Sequence, residues 1–172
     1  NYEVEQPILN SPYKEPAKYW QIEAGRPPEI RSGRRQAGYF YRDPKAPVTS
    51  DEHEARGQWV SLELVNLIRE RVRDWQQQNY TGVTRMTLEL LNYWRREGRQ
   101  HRLFFAQLEA VETIIFLHEA RTDFLQGIDI PVDEISDDRR SNGYNAFKQY
   151  ACKMATGSGK TTVMGMLAAW SI

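Results

Sequence analysis

The string Thr156-Gly157-Ser158-Gly159-Lys160-Thr161 constrains this chain more than any other feature of it. Gly157 and Gly159 can take backbone angles closed to other residues and let the chain come close to a ligand. A helix that starts at such a loop aims its first N–H groups, and the positive end of its dipole, at an anion. These residue types in this order read as a phosphate-binding loop. Lys160 is the candidate catalytic residue, reaching the β- and γ-phosphates, and the Thr161 hydroxyl is the candidate Mg²⁺ ligand. Ala155, Thr156, Gly157, Ser158, Gly159 and Thr162 are the remaining candidate contacts, mostly through their backbone. The expected cofactors are ATP and Mg²⁺.

The flanks fit the motif. Residues 147–154 (FKQYACKM) are a β-compatible run, and residues 161–172 (TTVMGMLAAWSI) carry Val163, Met166, Leu167 and Trp170 at helical spacing. Strand, glycine loop and apolar helix is the order a phosphate-binding loop requires. The generic pattern has a glycine where this chain has Met154. The competing reading of the string is a chance glycine turn.

Composition excludes several classes. Lys plus Arg number 23, as do Asp plus Glu, so no global field draws the chain to nucleic acid or membrane and any such binding is local. Cys152 is the only cysteine, which rules out an internal disulfide and suits a small buried side chain in a reducing cytosol. No stretch approaches the roughly 18 apolar residues of a membrane span, so the expected localisation is cytoplasmic. The chain starts at Asn1 and stops at Ile172 within the helix after the loop, as expected of a piece of a larger nucleotide-driven protein.

Three regions are expected. Residues 1–48 hold seven of the eight prolines and read as an extended arm, with apolar anchors such as Tyr13, Trp20 and Tyr39 and a short hairpin around Gly25 to Tyr41. Residues 49–120 read as three helices. The first runs from Thr49 or Ser50, where Thr49 and Glu52 suggest a capping box, to Asn79, with Val60, Leu64, Leu67, Ile68, Val72 and Trp75 as its stripe. The second is capped by Thr84, and the third spans Leu103 to Ala120. Residues 121–172 hold an acidic connection with a turn at Asn142-Gly143, then the strand, loop (154–161) and helix. The visible chain is therefore expected to be mostly α-helical, with one strand–loop–helix unit.

Other constellations have ordinary readings beside functional ones. The run from Arg95 to Arg102 either touches a nucleic-acid backbone or is a solvated helix end. Arg31, Arg34 and Arg35 around Gly33 are either phosphate contacts or a surface turn. Gln107 carries an amide able to pair with an adenine edge; alone on a helix it is an ordinary polar position. His53, His101 and His118 show no metal-ligand spacing.

Residues Met154 to Thr161 resemble motif I of superfamily 2 helicases, most closely the helicase subunits of type I and type III restriction enzymes, where a Met-Ala-Thr-Gly opening is common. Phe105-Ala106-Gln107-Leu108-Glu109-Ala110 is similar to the aromatic-x-Gln-x-Glu-Ala element that precedes motif I in this branch. Pro7 to Tyr13 and Gly33-Arg34-Arg35 resemble its leader. The resemblance implies an α/β parent with RecA-like domains, an adenine-reading Gln107, an ATP-driven DNA helicase or translocase, and partners that include DNA and restriction, modification or defence-system subunits. It also makes residues 121–145 an insertion. Half of one nucleotide pocket would lie in this stretch, without the second Mg²⁺-holding carboxylate, so no ATPase activity is expected of the chain alone. The alternatives are a P-loop NTPase that does not act on nucleic acid, such as a transporter ATPase or a kinase, and a helical interaction module with a vestigial loop.

Overall fold

A computed structural model describes Val4 and residues 6–23, 25–45 and 57–172. It is mixed α/β: among the described residues there are five helices and two separate two-stranded antiparallel sheets. No helix among them is long and apolar enough to cross a membrane.

The arm is built of strands. β1 (Lys18–Gln21) pairs with β2 (Glu29–Ser32), Trp20 opposite Ile30. Asn10 closes the open end of this hairpin: its Oδ1 accepts from the Ala17 and Lys18 N–H groups at 2.9 and 3.1 Å, and its Nδ2 donates to the Lys18 carbonyl at 2.8 Å. β3 (Gly38–Tyr41) pairs with β4 (Gln58–Ser61), not within the arm. Gly38 is required there because a Cβ would lie 2.3 Å from the Trp59 ring. The expected hairpin is thus displaced toward the N-terminus, and its last strand is recruited by a segment read as helix.

That segment corrects the first helix. The proposed caps Thr49 and Glu52 lie outside the described residues. Val60 sits in β4 opposite Tyr39, and the helix α1 spans only Glu63–Gln77. Gln58-Trp59-Val60-Ser61 carries two adjacent strand-favouring side chains, Trp59 and Val60, so pairing with β3 outweighs extension of the helix. Asn66, one turn into α1, locks the junction by exchanging hydrogen bonds with the Ala37 backbone at 2.8 and 3.1 Å.

The helical body follows the apolar spacing. α1 buries Ile68, Val72 and Trp75. Asn79 and Tyr80 both adopt positive φ, 54° and 56°, a left-handed turn that folds the Tyr80 ring against Trp75 at 5.0 Å. α2 (Arg85–Arg95) is capped by Thr84, whose hydroxyl accepts from the Thr87 N–H at 3.2 Å, as its sequence predicts. α3 (Phe105–Glu119) is the central helix and packs against α1, α2 and the last helix. Its Val111, Ile115 and Phe116 are fully buried, each such side chain contributing about 1.5–3 kcal/mol.

After α3 the chain is largely irregular, with a one-turn helix α4 (Asp137–Ser141) followed by a turn at Asn142-Gly143. The strand expected over 147–154 does not form. Lys148 makes only an isolated antiparallel bridge to Val132, and Gln149 donates to Asp133 at 3.0 Å. A buried parallel strand draws its stability from neighbours on both edges, and Val132 alone supplies one pair. The final helix α5 (Lys160–Trp170) docks on α3, with Val163 and Met166 buried.

Candidate functional site

The glycine loop is laid out as its sequence predicts at the level of backbone. Gly157 and Gly159 have φ of 79° and 81°, the left-handed region that other residues avoid. Gly159 is the N-cap of α5, and Lys160 is that helix's first residue. The Gly159 carbonyl accepts the Thr162 and Val163 N–H groups at 3.0 and 3.3 Å. By contrast, the N–H groups of Gly157, Gly159, Lys160 and Thr161 have no protein acceptor among the described residues. Consecutive donors in left-handed and right-handed residues at a helix head form an anion-binding concavity.

The side chains are arranged around that concavity. Lys160 Nζ folds back and donates to the Met154 and Ala155 carbonyls, both at 3.1 Å. Ser158 Oγ donates to the Ala155 carbonyl at 2.6 Å. The lysine is thus held at the loop by weak neutral acceptors that an anionic phosphate would outcompete. Thr156, Thr161 and Thr162 are exposed, and the Thr161 hydroxyl has no protein partner among the described residues. The donors fit a polyphosphate, and Thr161 fits one ligand position of a hard cation. No cluster of three or more His, Cys, Asp or Glu able to hold a metal by itself occurs among the described residues.

Gln107 is brought to the loop from far away in sequence. Its side chain is 5% exposed. Its Oε1 accepts the Phe104 N–H at 2.8 Å, completing the first turn of α3. Its Nε2 lies against Gly159, where an added Cβ would come within 2.0 Å of it. Pairing with both positions of an adenine edge therefore requires Oε1 to leave Phe104.

Gly159→Ala tests this contact. The methyl group forces φ away from 81° and displaces a buried amide. We expect a loss of about 1–2 kcal/mol from the backbone term and about 1 kcal/mol from the broken cap. A thermal melt should register both, and a variant as stable as the parent would contradict the packing described.

One carboxylate that the sequence reading passed over, Glu119, anchors the loop's helix. Glu119 accepts from Trp170 Nε1 at 2.7 Å, from Thr87 Oγ1 at 2.7 Å and from the Thr84 N–H at 3.0 Å. One side chain thereby ties α5 to α2 and α3. Only the outer face of α5, including Met164, is exposed. The signal was present: Leu108, Val111, Glu112, Ile115, Phe116 and Glu119 follow core spacing, and two of them are acids.

The remaining candidates fall in different places. Arg34 pairs through both guanidinium nitrogens with Glu109 and lies 5.4 Å over the Phe105 ring, so it fastens the arm to α3 and is no free phosphate contact. Arg95 is committed to the buried Glu112. Cys152 is exposed, not buried as expected, because no sheet forms around it. Partial desolvation still pushes its thiol pKa up, which disfavours a reactive thiolate. His118 lies 5.2 Å from the Tyr150 ring and 5.6 Å from the Trp170 ring, in an aromatic contact and away from any metal cluster. His53 lies outside the described residues.

No family model matches this chain, and no curated protein or solved structure is significantly similar to it.

Proposed function

We propose that this chain carries the ATP-binding loop of a nucleic-acid-dependent ATPase, a DNA helicase or translocase of restriction or phage-defence type, in which residues 147–172 belong to a RecA-like unit. The observation that supports the reading is the head of α5. Two left-handed glycines there leave four backbone N–H groups unpartnered among the described residues, beside an ammonium held only by carbonyls. In this reading the N–H groups of Gly157, Gly159, Lys160 and Thr161 bind the phosphate oxygens, and Lys160 moves from Met154 and Ala155 onto the terminal phosphates. Mg²⁺ would neutralise phosphate charge, with Thr161 as one of its ligands. DNA and defence-system subunits are the proposed partners.

The test is nucleotide binding by calorimetry in the presence of Mg²⁺. ATP and ADP should bind and inorganic triphosphate should compete, while adenosine should bind at least about 100-fold more weakly, since charge-assisted phosphate contacts carry the affinity. Adenosine binding as tightly as ATP would overturn the assignment. Gln107→Ala decides the role of that residue. The packing against Gly159 favours equal weakening of ATP and GTP; selective loss of ATP would assign Gln107 to the adenine edge, where a bidentate contact is worth about 1–3 kcal/mol.

A further inference from the structure

The loop between α2 and α3 holds a cluster that the nucleotide reading does not use. Tyr93, 49% exposed at the end of α2, has the Arg96 guanidinium 4.3 Å and the Arg99 guanidinium 5.0 Å from its ring centre. Arg99 is fixed further by donating from Nη1 to the Tyr93 carbonyl at 3.2 Å and from Nε to the His101 carbonyl at 3.3 Å. Arg102 stacks 4.6 Å over Tyr13, which the arm delivers by accepting the Phe105 N–H at the Pro12 carbonyl, 2.8 Å. Among the described residues no carboxylate lies within 4.0 Å of Arg96, Arg99 or Arg102, although most other arginines around the body are paired. Glu97 is the loop's single acid and pairs with none of them. A cleft of about 380 Å³ opens between Tyr13 and the three arginines.

We propose that Tyr13, Tyr93, Arg96, Arg99 and Arg102 form a binding surface for single-stranded nucleic acid. Stacking orients each guanidinium; it leaves the N–H forks of Arg96 and Arg102 and the Nη2 group of Arg99 available for contacts with phosphate. Aromatic faces and guanidinium planes together accept unpaired bases without regard to sequence. An acidic protein would satisfy the charges but has no use for the rings, and duplex DNA hides its base faces. Because Lys plus Arg balance Asp plus Glu over the whole chain, binding of a polyanion must come from a local surface such as this one. The proposal is independent of the glycine loop and holds whether or not that loop binds ATP.

The experiment is fluorescence anisotropy of a labelled oligothymidylate titrated with the 172-residue chain, without nucleotide, over a range of salt concentrations. Affinity should fall with salt. The combined variant Arg96→Gln, Arg99→Gln and Arg102→Gln should bind at least about tenfold more weakly and flatten the log–log salt slope by about 2, for three lost phosphate contacts. Tyr93→Leu should weaken binding at least about fivefold through lost stacking. Arg85→Gln, exposed at the far end of α2 and paired with Glu89, should bind as the parent does. Circular dichroism of every variant excludes unfolding as the cause. The proposal is overturned if the parent does not bind or the triple variant binds equally well. It is also overturned if polyglutamate competes as strongly as the oligonucleotide, or if a duplex binds as tightly with Tyr93→Leu having no effect.

Discussion

On the proposed reading, Lys160→Ala is expected to weaken ATP binding to this chain and to abolish ATP hydrolysis by any protein that carries it. The ammonium is the only cation whose hydrogen bonds place it inside the glycine loop among the described residues. Removing one preorganised donor to a developing charge costs about 10²–10³ in rate, and here the donor also carries a full positive charge. The neutral carbonyls of Met154 and Ala155 remain satisfied by water, so the fold should survive and the melting temperature should hardly move. A steady-state phosphate-release assay, with Lys18→Ala in β1 as the control, checks the expectation. Unchanged turnover in the Lys160 variant would refute the loop's role.

Glu112→Ala should produce the largest loss of stability. Glu112 is 2% exposed and sits where three helices meet. Its oxygens accept from both Nε and Nη2 of Arg95, from Gln76 Nε2 at 2.6 Å and from the Tyr80 hydroxyl at 3.1 Å. Truncation leaves a partly buried guanidinium and a buried hydroxyl without their acceptor, a loss of about 3–5 kcal/mol. For a chain of this size that corresponds to a fall in melting temperature of roughly 6–20 °C. The same site gives alkaline sensitivity. Burial, and then the Glu112 charge, push the Tyr80 pKa above its ordinary value. Tyr80 therefore stays protonated when folded, and stability falls as pH rises past about 10, where an unfolded tyrosine ionises. Tyr80→Phe should flatten that decline in urea titrations.

What the sequence made legible follows the range of the interactions involved. Thr84 capping α2, the stripe Ile68-Val72-Trp75 and the glycine angles at 157 and 159 depend on residues within a turn or two, and each was readable. β4 was not readable, because Gln58 to Ser61 becomes a strand only when Gly38 to Tyr41 is beside it. Residues 147–154 show the converse: a β-compatible composition without neighbouring strands yields one bridge. Within the candidate site the loop was legible. The supports from Glu119, Glu109 and Gln107 were not, since an acid or amide on a helix declares its partner only when the distant element is packed against it.

The first turn of α3 has a consequence for energetics beyond its own stability. Phe104 touches Tyr13 at 5.5 Å on one side and gives its N–H to Gln107 on the other, and Gln107 leaves no space before Gly159. The arginine–tyrosine surface and the glycine loop thus share one close-packed joint, and close packing transmits displacement instead of absorbing it. Two ligands on either side of such a joint obey thermodynamic reciprocity. Whatever factor an oligonucleotide imposes on the affinity for nucleotide, the nucleotide imposes on the affinity for oligonucleotide. A single coupling constant, measured from either side, would therefore describe both.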